Sequence, residues 1–332
     1  MTTSIHATED PGDVEPAMDV LRAWALDEAL KHRVMSDPEL AALAARVARR
    51  YTAGDSIEQA VTAARAATAR GHLVSIEYAG ESVRDPEVAR AEAAVFLELV
   101  RAIGDAGLPS TVSLDLSHVG AVIDKGLALE LSRPLAEGVA RLGTALMISA
   151  EGSRRTDLVL GLYDELAEDH PHVGITLQAR LRRTPEDLER VLLHPGQIRL
   201  VKGAFAESPT VAHRRGSDDL QSTYLALVRR LVASGHAFTI ATHDERLIQL
   251  VIEEHGAALK RPGVEFEMLR GLAPAHLDSL RARGYLTREY VVFGGEWWLY
   301  VLNRIAEQPE RVFTAIADLR TPDVPPDDRV ES

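Results

Sequence analysis

From Gly71 onward, short apolar runs of β-prone residues alternate with amphipathic stretches of helical period. The runs are Leu73–Tyr78, Thr111–Leu116, Ala145–Ile148, Gly174–Gln178, Ile198–Lys202, Ala237–Ala241, Val264–Met268 and Tyr290–Phe293. Helical segments follow them in turn: Pro86–Ile103, Lys125–Leu142, Ser153–Ala167, Pro185–Leu193, Leu220–Ser234, Asp244–His255, Pro274–Arg283 and Glu296–Glu307. Strand–helix units repeated eight times over such a length predict a (β/α)₈ barrel. The competing architecture is an open doubly wound sheet. Its dinucleotide-binding version is weakened because no Gly-x-Gly-x-x-Gly follows the first strand.

Upstream, residues 18–70 predict helices packed on the barrel. Leu21, Trp24, Ala25 and Ala29 recur at helical spacing, as do Leu40, Leu43, Ala44, Val47 and Ala48. Asp37-Pro38 marks a helix start, with proline at the first helical position. Residues 1–17 are acidic and lack an apolar period, and read as a mobile lead-in. Residues 321–332 carry three prolines and several aspartates, and read as a disordered tail. The barrel domain is thereby bounded at 71–320.

Composition narrows the function. Of 332 residues, 46% are hydrophobic and 26% charged, the balance of a globular protein and not of a disordered one. Lys and Arg total 37 against 50 Asp and Glu, a net charge of -13 that disfavours a nucleic-acid partner. There is no cysteine. Disulfides, thiolate metal sites, cysteine-ligated clusters and a cysteine nucleophile are excluded, and the cytoplasm is the expected compartment. No window reaches the roughly 18 uncharged apolar residues of a spanning helix, and no signal peptide is visible.

In a barrel the reactive groups lie at the C-terminal ends of the strands. Here those ends carry Glu77, Asp115, Ser149, Gln178, Lys202, Thr242-His243, Glu267 and Tyr290. Singly, each is as readily a helix cap or loop contact. Together, Arg199, Lys202 and His243 make a cationic set on strands five and six, suited to a phosphate-bearing cofactor. Gly203-Ala204 follows, with room for a ligand to approach the backbone. The plainer alternative pairs Lys202 with a local carboxylate.

These residues also carry a resemblance. Ile198–Phe205 resembles the "IRLVKGAY" segment of the proline dehydrogenase family. Ile175–Ala179 is similar to its fourth strand, Ala241–Asp244 to its "ATHN", Glu265–Gly271 to its "EFQMLYG", and Ile76–Glu81 to its first strand. Tyr290, Gly294 and Tyr300–Glu307 resemble its last strand and final helix, "YLxRRxxE". The resemblance spans about residues 40–310. It implies a distorted (β/α)₈ barrel that holds FAD non-covalently and moves a hydride from a C–N carbon to flavin N5. Carried over, it implies Arg199 near N5, Gln178 on the flavin ring, and Lys202, Thr242 and His243 toward the ribityl and phosphate groups. Gly203 and Ala204 would lie beside the cofactor, and Glu307 would support it. Tyr290, Tyr300 and Leu269 would wall the substrate pocket. Phe205 replaces the family's aromatic after "KGA", and Ala206 stands where a tryptophan often follows. Gly294-Gly295, before the last helix, is either a hinge or a plain turn. No metal is implied, and a metal-dependent hydrolase or a barrel without catalysis are the weaker alternatives.

The departures lie on the substrate side. The family clamps its substrate carboxylate with two adjacent arginines and a lysine. The arginine pair aligns with Asn303-Arg304 and the lysine, in "SVKLS", with Asp115; the family aspartate on strand three becomes Ser149. Two unit charges about 4 Å apart interact by about 4 kcal/mol at an effective dielectric of 20. Exchanging Lys for Asp therefore shifts carboxylate binding by several kcal/mol. Arg304 and Asp115 are also candidates to pair with each other. The expected substrate is then a small amine or hydrazine without a free carboxylate, such as an ester, an amide or a carrier-protein-bound group, or else a cation drawn to Asp115. The alternative is ordinary L-proline oxidation, with Arg180 or Arg270 restoring the clamp. The electron acceptor, a quinone or oxygen, is left open.

Overall fold

A computed structural model describes residues 11–80, 82–308 and 310–319. The expected tail, most of the expected lead-in and Glu81 lie outside the described residues. Four helices come first: α1 (Pro11–Ala25), α2 (Glu28–Ser36), α3 (Pro38–Ala48) and α4 (Ile57–Ala69). The lead-in expectation is thus corrected at its end, since α1 already begins at Pro11. Asp27 and Asp37 cap α2 and α3 through their carboxylates, and Ser56 with Gln59 forms a reciprocal capping box at α4.

The alternation then runs β1 (Leu73–Tyr78), α5 (Pro86–Asp105), β2 (Ser110–Leu114), α6 (Lys125–Arg141), β3 (Leu146–Ile148), α7 (Thr156–Asp169), β4 (Val173–Gln178), α8 (Thr184–Val191), β5 (Ile198–Val201) and α9 (Asp218–Ser234). It continues with β6 (Phe238–Ala241), α10 (Glu245–His255), β7 (Val264–Leu269), α11 (Pro274–Ala282), β8 (Leu286–Phe293), α12 (Trp298–Ile305) and α13 (Glu310–Asp318). The strands close in sequence order into a parallel barrel, β8 pairing with both β7 and β1. This is the predicted (β/α)₈ fold.

β8 starts at Leu286, four residues before the apolar run that predicts it. Its opening Thr287, Arg288 and Glu289 are polar yet buried. They tolerate burial because Arg288 is bound to Glu265, and Glu289 to Arg70 and Arg270.

The distortion of the ring is visible at the seam. α4 packs against both β1 and β8, through its buried alanines Ala60, Ala63, Ala64 and Ala67. It takes the place that the helix after β8 would hold in a regular barrel. α12 lies instead against α1, and a second apolar cluster of Ala48, Tyr51, Trp297, Trp298, Val301 and Ile305 joins it to the N-terminal helices. Two backbone bonds fasten this junction: Ala53 N–H to the Val292 carbonyl at 2.7 Å, and Gly294 N–H to Gly54 at 2.9 Å. Trp24 recurs at the spacing of a buried face, but it is 48% exposed, and its carbonyl accepts from the Trp298 indole. Among the described residues no helix is long and apolar enough to cross a membrane.

Candidate active site

Polar residues at alternate positions of the strands turn into the barrel. Deepest is the Arg288–Glu265 pair, at 2.7 and 3.0 Å. One layer up sits Arg199 of β5, 4% exposed. Its guanidinium donates to Glu267 of β7 at 2.6 and 3.1 Å, to Ser75 of β1 at 3.0 Å and to Ser113 of β2 at 3.1 Å. Burial opposes the charge, but Glu267 outweighs it, so the guanidinium pKa is raised. The cation also lies 4.8 Å from the Tyr290 ring centre.

Above Arg199 the chemistry turns acidic. Ser149, after β3, donates to Glu77 of β1 at 3.1 Å and neighbours Asp115 at the end of β2. Tyr290 lies beside Glu77. Glu77 and Asp115 are surrounded by protein yet keep some accessible surface, as side chains lining an internal cavity do. Burial, and then the neighbouring carboxylates Glu77 and Glu151, push the Asp115 pKa well up. Burial likewise raises that of Glu77. Tyr300 of α12 faces the same space: burial, with a smaller contribution from Glu77, raises its pKa, and its hydroxyl oxygen is buried without a partner.

Arg304 is not paired with Asp115, which corrects that expectation. It binds Glu307 at 2.8 Å, one turn along, and lies over the Tyr300 ring. Glu307 also accepts from Arg311 at 3.0 Å. Asn303 is half-buried beside them. Neither substitute for the clamp is directed at the acidic pair: Arg180 donates to the carbonyls of Phe205 and His213, and Arg270 to Glu289.

The residues expected on the cofactor side gather at the ends of β4 to β6. Gln178 donates to the Glu151 carbonyl at 2.8 Å, while its Oε1 is buried with no partner. Lys202 pairs with Asp244, the plainer of its two readings, and Asp244 also caps α10. His243 Nε2 accepts from the Leu269 N–H at 2.9 Å, which requires that nitrogen unprotonated. Burial, then Arg311 and Arg304, bring the His243 pKa down to about 3. Thr242 is buried and accepts from the Asp244 N–H. Gly203 has φ +107°, and a Cβ there would lie 2.7 Å from Arg180 Cγ and 3.0 Å from Gln178 Oε1. Ala204 follows it, its carbonyl engaged by Arg215.

Sequence reasoning left out Ser75, Ser113 and Thr176, which surround Arg199, and the Glu151–Arg155 pair at 2.7 Å. Their signal was present. Ser75 and Glu77, Ser113 and Asp115, and Thr176 and Gln178 are polar residues two apart in otherwise apolar strands, which places each pair on one face. On the other side of β1, Tyr78 stacks on His118 at 5.2 Å and, with Glu92, lines a separate cleft of about 520 Å³. Among the described residues no group of three or more His, Asp or Glu is placed to hold a metal ion.

The sequence model of the proline dehydrogenase family matches residues 60–302. Proline dehydrogenase 1 of Bacillus subtilis subsp. natto is 32% identical over 267 residues, covering 79% of this chain and 87% of the relative. Proline dehydrogenase of Deinococcus radiodurans is 32% identical over 271 residues, covering 79% and 86%. Among solved structures, proline utilization A (PutA) from Bdellovibrio bacteriovorus, inactivated by N-propargylglycine, matches with TM-score 0.74 at 18% identity. That match covers 89% of this chain but 38% of the PutA chain, and it concerns the fold.

Proposed function

The chain belongs to the proline dehydrogenase family of FAD-dependent oxidoreductases, and on that footing we propose that it oxidises the C–N bond of a small amine at the mouth of the barrel. The observation that carries the reading is Arg199, a buried cation held by side chains of β1, β2 and β7 below the half-buried carboxyls Glu77 and Asp115. A fixed cation favours chemistry in which negative charge develops beside it.

The residues at β4 to β6 suit FAD. The orphaned Gln178 Oε1 is an acceptor for an N–H of the flavin ring, and the missing side chain at Gly203 lets Arg180 and Gln178 pack closely beside it. Lys202, Thr242 and His243 would hold the ribityl and phosphate region, and Glu307 would support it by orienting Arg304. When bound, FAD supplies the two-electron acceptor that takes the hydride. The protein's part is to orient and enclose. Arg199 would fix charge beside the reacting atoms, and Leu269, Tyr290 and Tyr300 would shield them from water. Quinone and oxygen are the candidate electron acceptors. The cytoplasm is the compartment proposed, in keeping with the cysteine-free composition.

L-proline, oxidised to pyrroline-5-carboxylate, is the substrate that the names of the relatives support. A second reading is favoured by Asp115. The cavity wall carries an acid where the family's clamp carries a lysine, and Arg304 is already engaged by Glu307. On that reading the amine (or hydrazine) has its carboxylate masked, as an ester, an amide or a link to a carrier protein. Anaerobic loss of oxidised-flavin absorbance separates the two. Fast bleaching by free L-proline establishes the first. Bleaching confined to proline methyl ester or a carrier-bound amine establishes the second. No bleaching by any amine, with dithionite reducing the flavin normally, overturns both.

A further inference from the structure

We infer that Glu77, Ser149 and Asp115 form an ammonium receptor, so that the substrate is recognised through a positively charged nitrogen and not through a carboxylate. The inference rests on the reading of this cavity as the substrate site.

The first support is the balance of charge at the barrel mouth. Arg199 is matched by Glu267, Arg155 by Glu151 and Lys202 by Asp244, while Arg304 and Arg311 share Glu307. Glu77 and Asp115 have no ion pair among the described residues, although Arg199 and Arg155 lie near enough to act on them; Ser149 donates to Glu77 and neighbours Asp115. Two carboxyl groups so placed, and enclosed, cannot both ionise cheaply. A cation between them relieves their mutual repulsion and their desolvation together.

The second support is the roof. The Tyr300 hydroxyl oxygen comes from α12, is buried without a partner and lies within the field of Glu77. An unsatisfied buried polar atom within reach of the Glu77 charge marks a place where a ligand's polar group belongs.

The third is donor counting. A secondary ammonium carries two N–H donors, and the pair offers one carboxyl group to each. A carboxylate placed there would instead meet two acidic groups and be tolerated only if both stayed protonated. The substrate class is therefore a cyclic or open-chain secondary ammonium of net positive charge, with any carboxyl group masked.

The test is calorimetric titration of the flavin-loaded protein with pyrrolidinium chloride, L-prolinamide and tetrahydro-2-furoate, the last a ring carboxylate with no nitrogen. Pyrrolidinium and prolinamide are expected to bind at least tenfold more tightly than the furoate. Asp115→Asn is expected to weaken both cations about tenfold, and Asp115→Lys to invert the ranking. A wild-type protein that prefers the furoate overturns the inference, and this ranking decides the matter even where a variant does not fold. Glu77→Gln, checked for folding by circular dichroism, gives a second loss-of-cation readout; unchanged cation binding in both Glu77→Gln and Asp115→Asn also overturns it. Flavin bleaching keeps the underlying reading separate. Cations that bind without any amine bleaching the flavin uphold the receptor and sink the oxidase reading. Bleaching by proline without pyrrolidinium binding does the reverse.

Discussion

Arg199 and Glu267 meet inside the barrel from β5 and β7, joined by contacts of 2.6 and 3.1 Å, both side chains nearly inaccessible to water. A buried pair of this kind contributes little over an apolar replacement, but losing one partner is costly because the other charge is stranded. Glu267→Gln should therefore lower unfolding stability by about 3–5 kcal/mol, measured by urea denaturation. Removing the cation as well, in Arg199→Met with Glu267→Gln, should cost less than the sum of the single changes. Additive losses would show that the two side chains act independently.

Asp115 should reveal itself through pH. Its pKa is raised in the folded protein by burial and by Glu77 and Glu151. The folded state thus keeps a proton that the unfolded chain has already released, and stability falls as pH rises from the ordinary aspartate value through the folded one. Asp115→Asn removes that dependence. It is expected to be more stable than the wild type at neutral pH, with the gap narrowing toward pH 4. Thermal melts across that range, showing equal slopes for both proteins, would contradict this.

His243 has the opposite sign. Its folded pKa is brought down to about 3, so below about pH 6.5 the unfolded chain takes a proton that the folded one refuses. Stability should drop on acidification through this window by up to about 1.4 kcal/mol per pH unit. His243→Gln should flatten that acid limb. Protonation would also cost the bond from the Leu269 N–H, so NMR of the imidazole should show a neutral ring at pH 5.

Gly203→Ala tests the cofactor cradle. The residue sits at φ +107°, and the new methyl would press on Arg180 and Gln178. Backbone strain alone costs about 1–3 kcal/mol. The expected result is a barrel that folds but loses flavin, read as a fall in the ratio of visible to ultraviolet absorbance after desalting. Full flavin retention would remove Gly203 from the site.

The barrel was readable because its strands are buried on both faces and so stand out as apolar runs between amphipathic helices. That rule failed at the start of β8, where Arg288 and Glu289 hide a strand whose polarity is neutralised only by partners from β7 and from outside the barrel. The residues proposed for the cofactor side stand in local motifs, Lys202-Gly203-Ala204 and Thr242-His243, that are short enough to be seen in the sequence. The partners of Arg199 were not, because they lie on β1, β2 and β7, far away in sequence and joined only by closure. The pairing of Arg304 with Glu307 instead of Asp115 was equally hidden: both arrangements satisfy the charges, and only the placement of α12 on α1 decides between them.

The closure of β8 onto β1 also sets an order of events for a chain made from its N-terminus. The register joins Leu73 to Arg288 and Ser75 to Tyr290, so the ring is open until nearly the whole chain has been synthesised. When β5 first emerges, Arg199 has Ser75 and Ser113 available but not the carboxylate it pairs with, because Glu267 is still to come. The growing chain can then form its early strand–helix units, but it cannot bury that guanidinium without cost. Assembly of the site is thus tied to the last strands. A ribosome stalled before β7 would hold a chain with every residue proposed for the phosphate side up to His243 already synthesised and no closed barrel in which to set them.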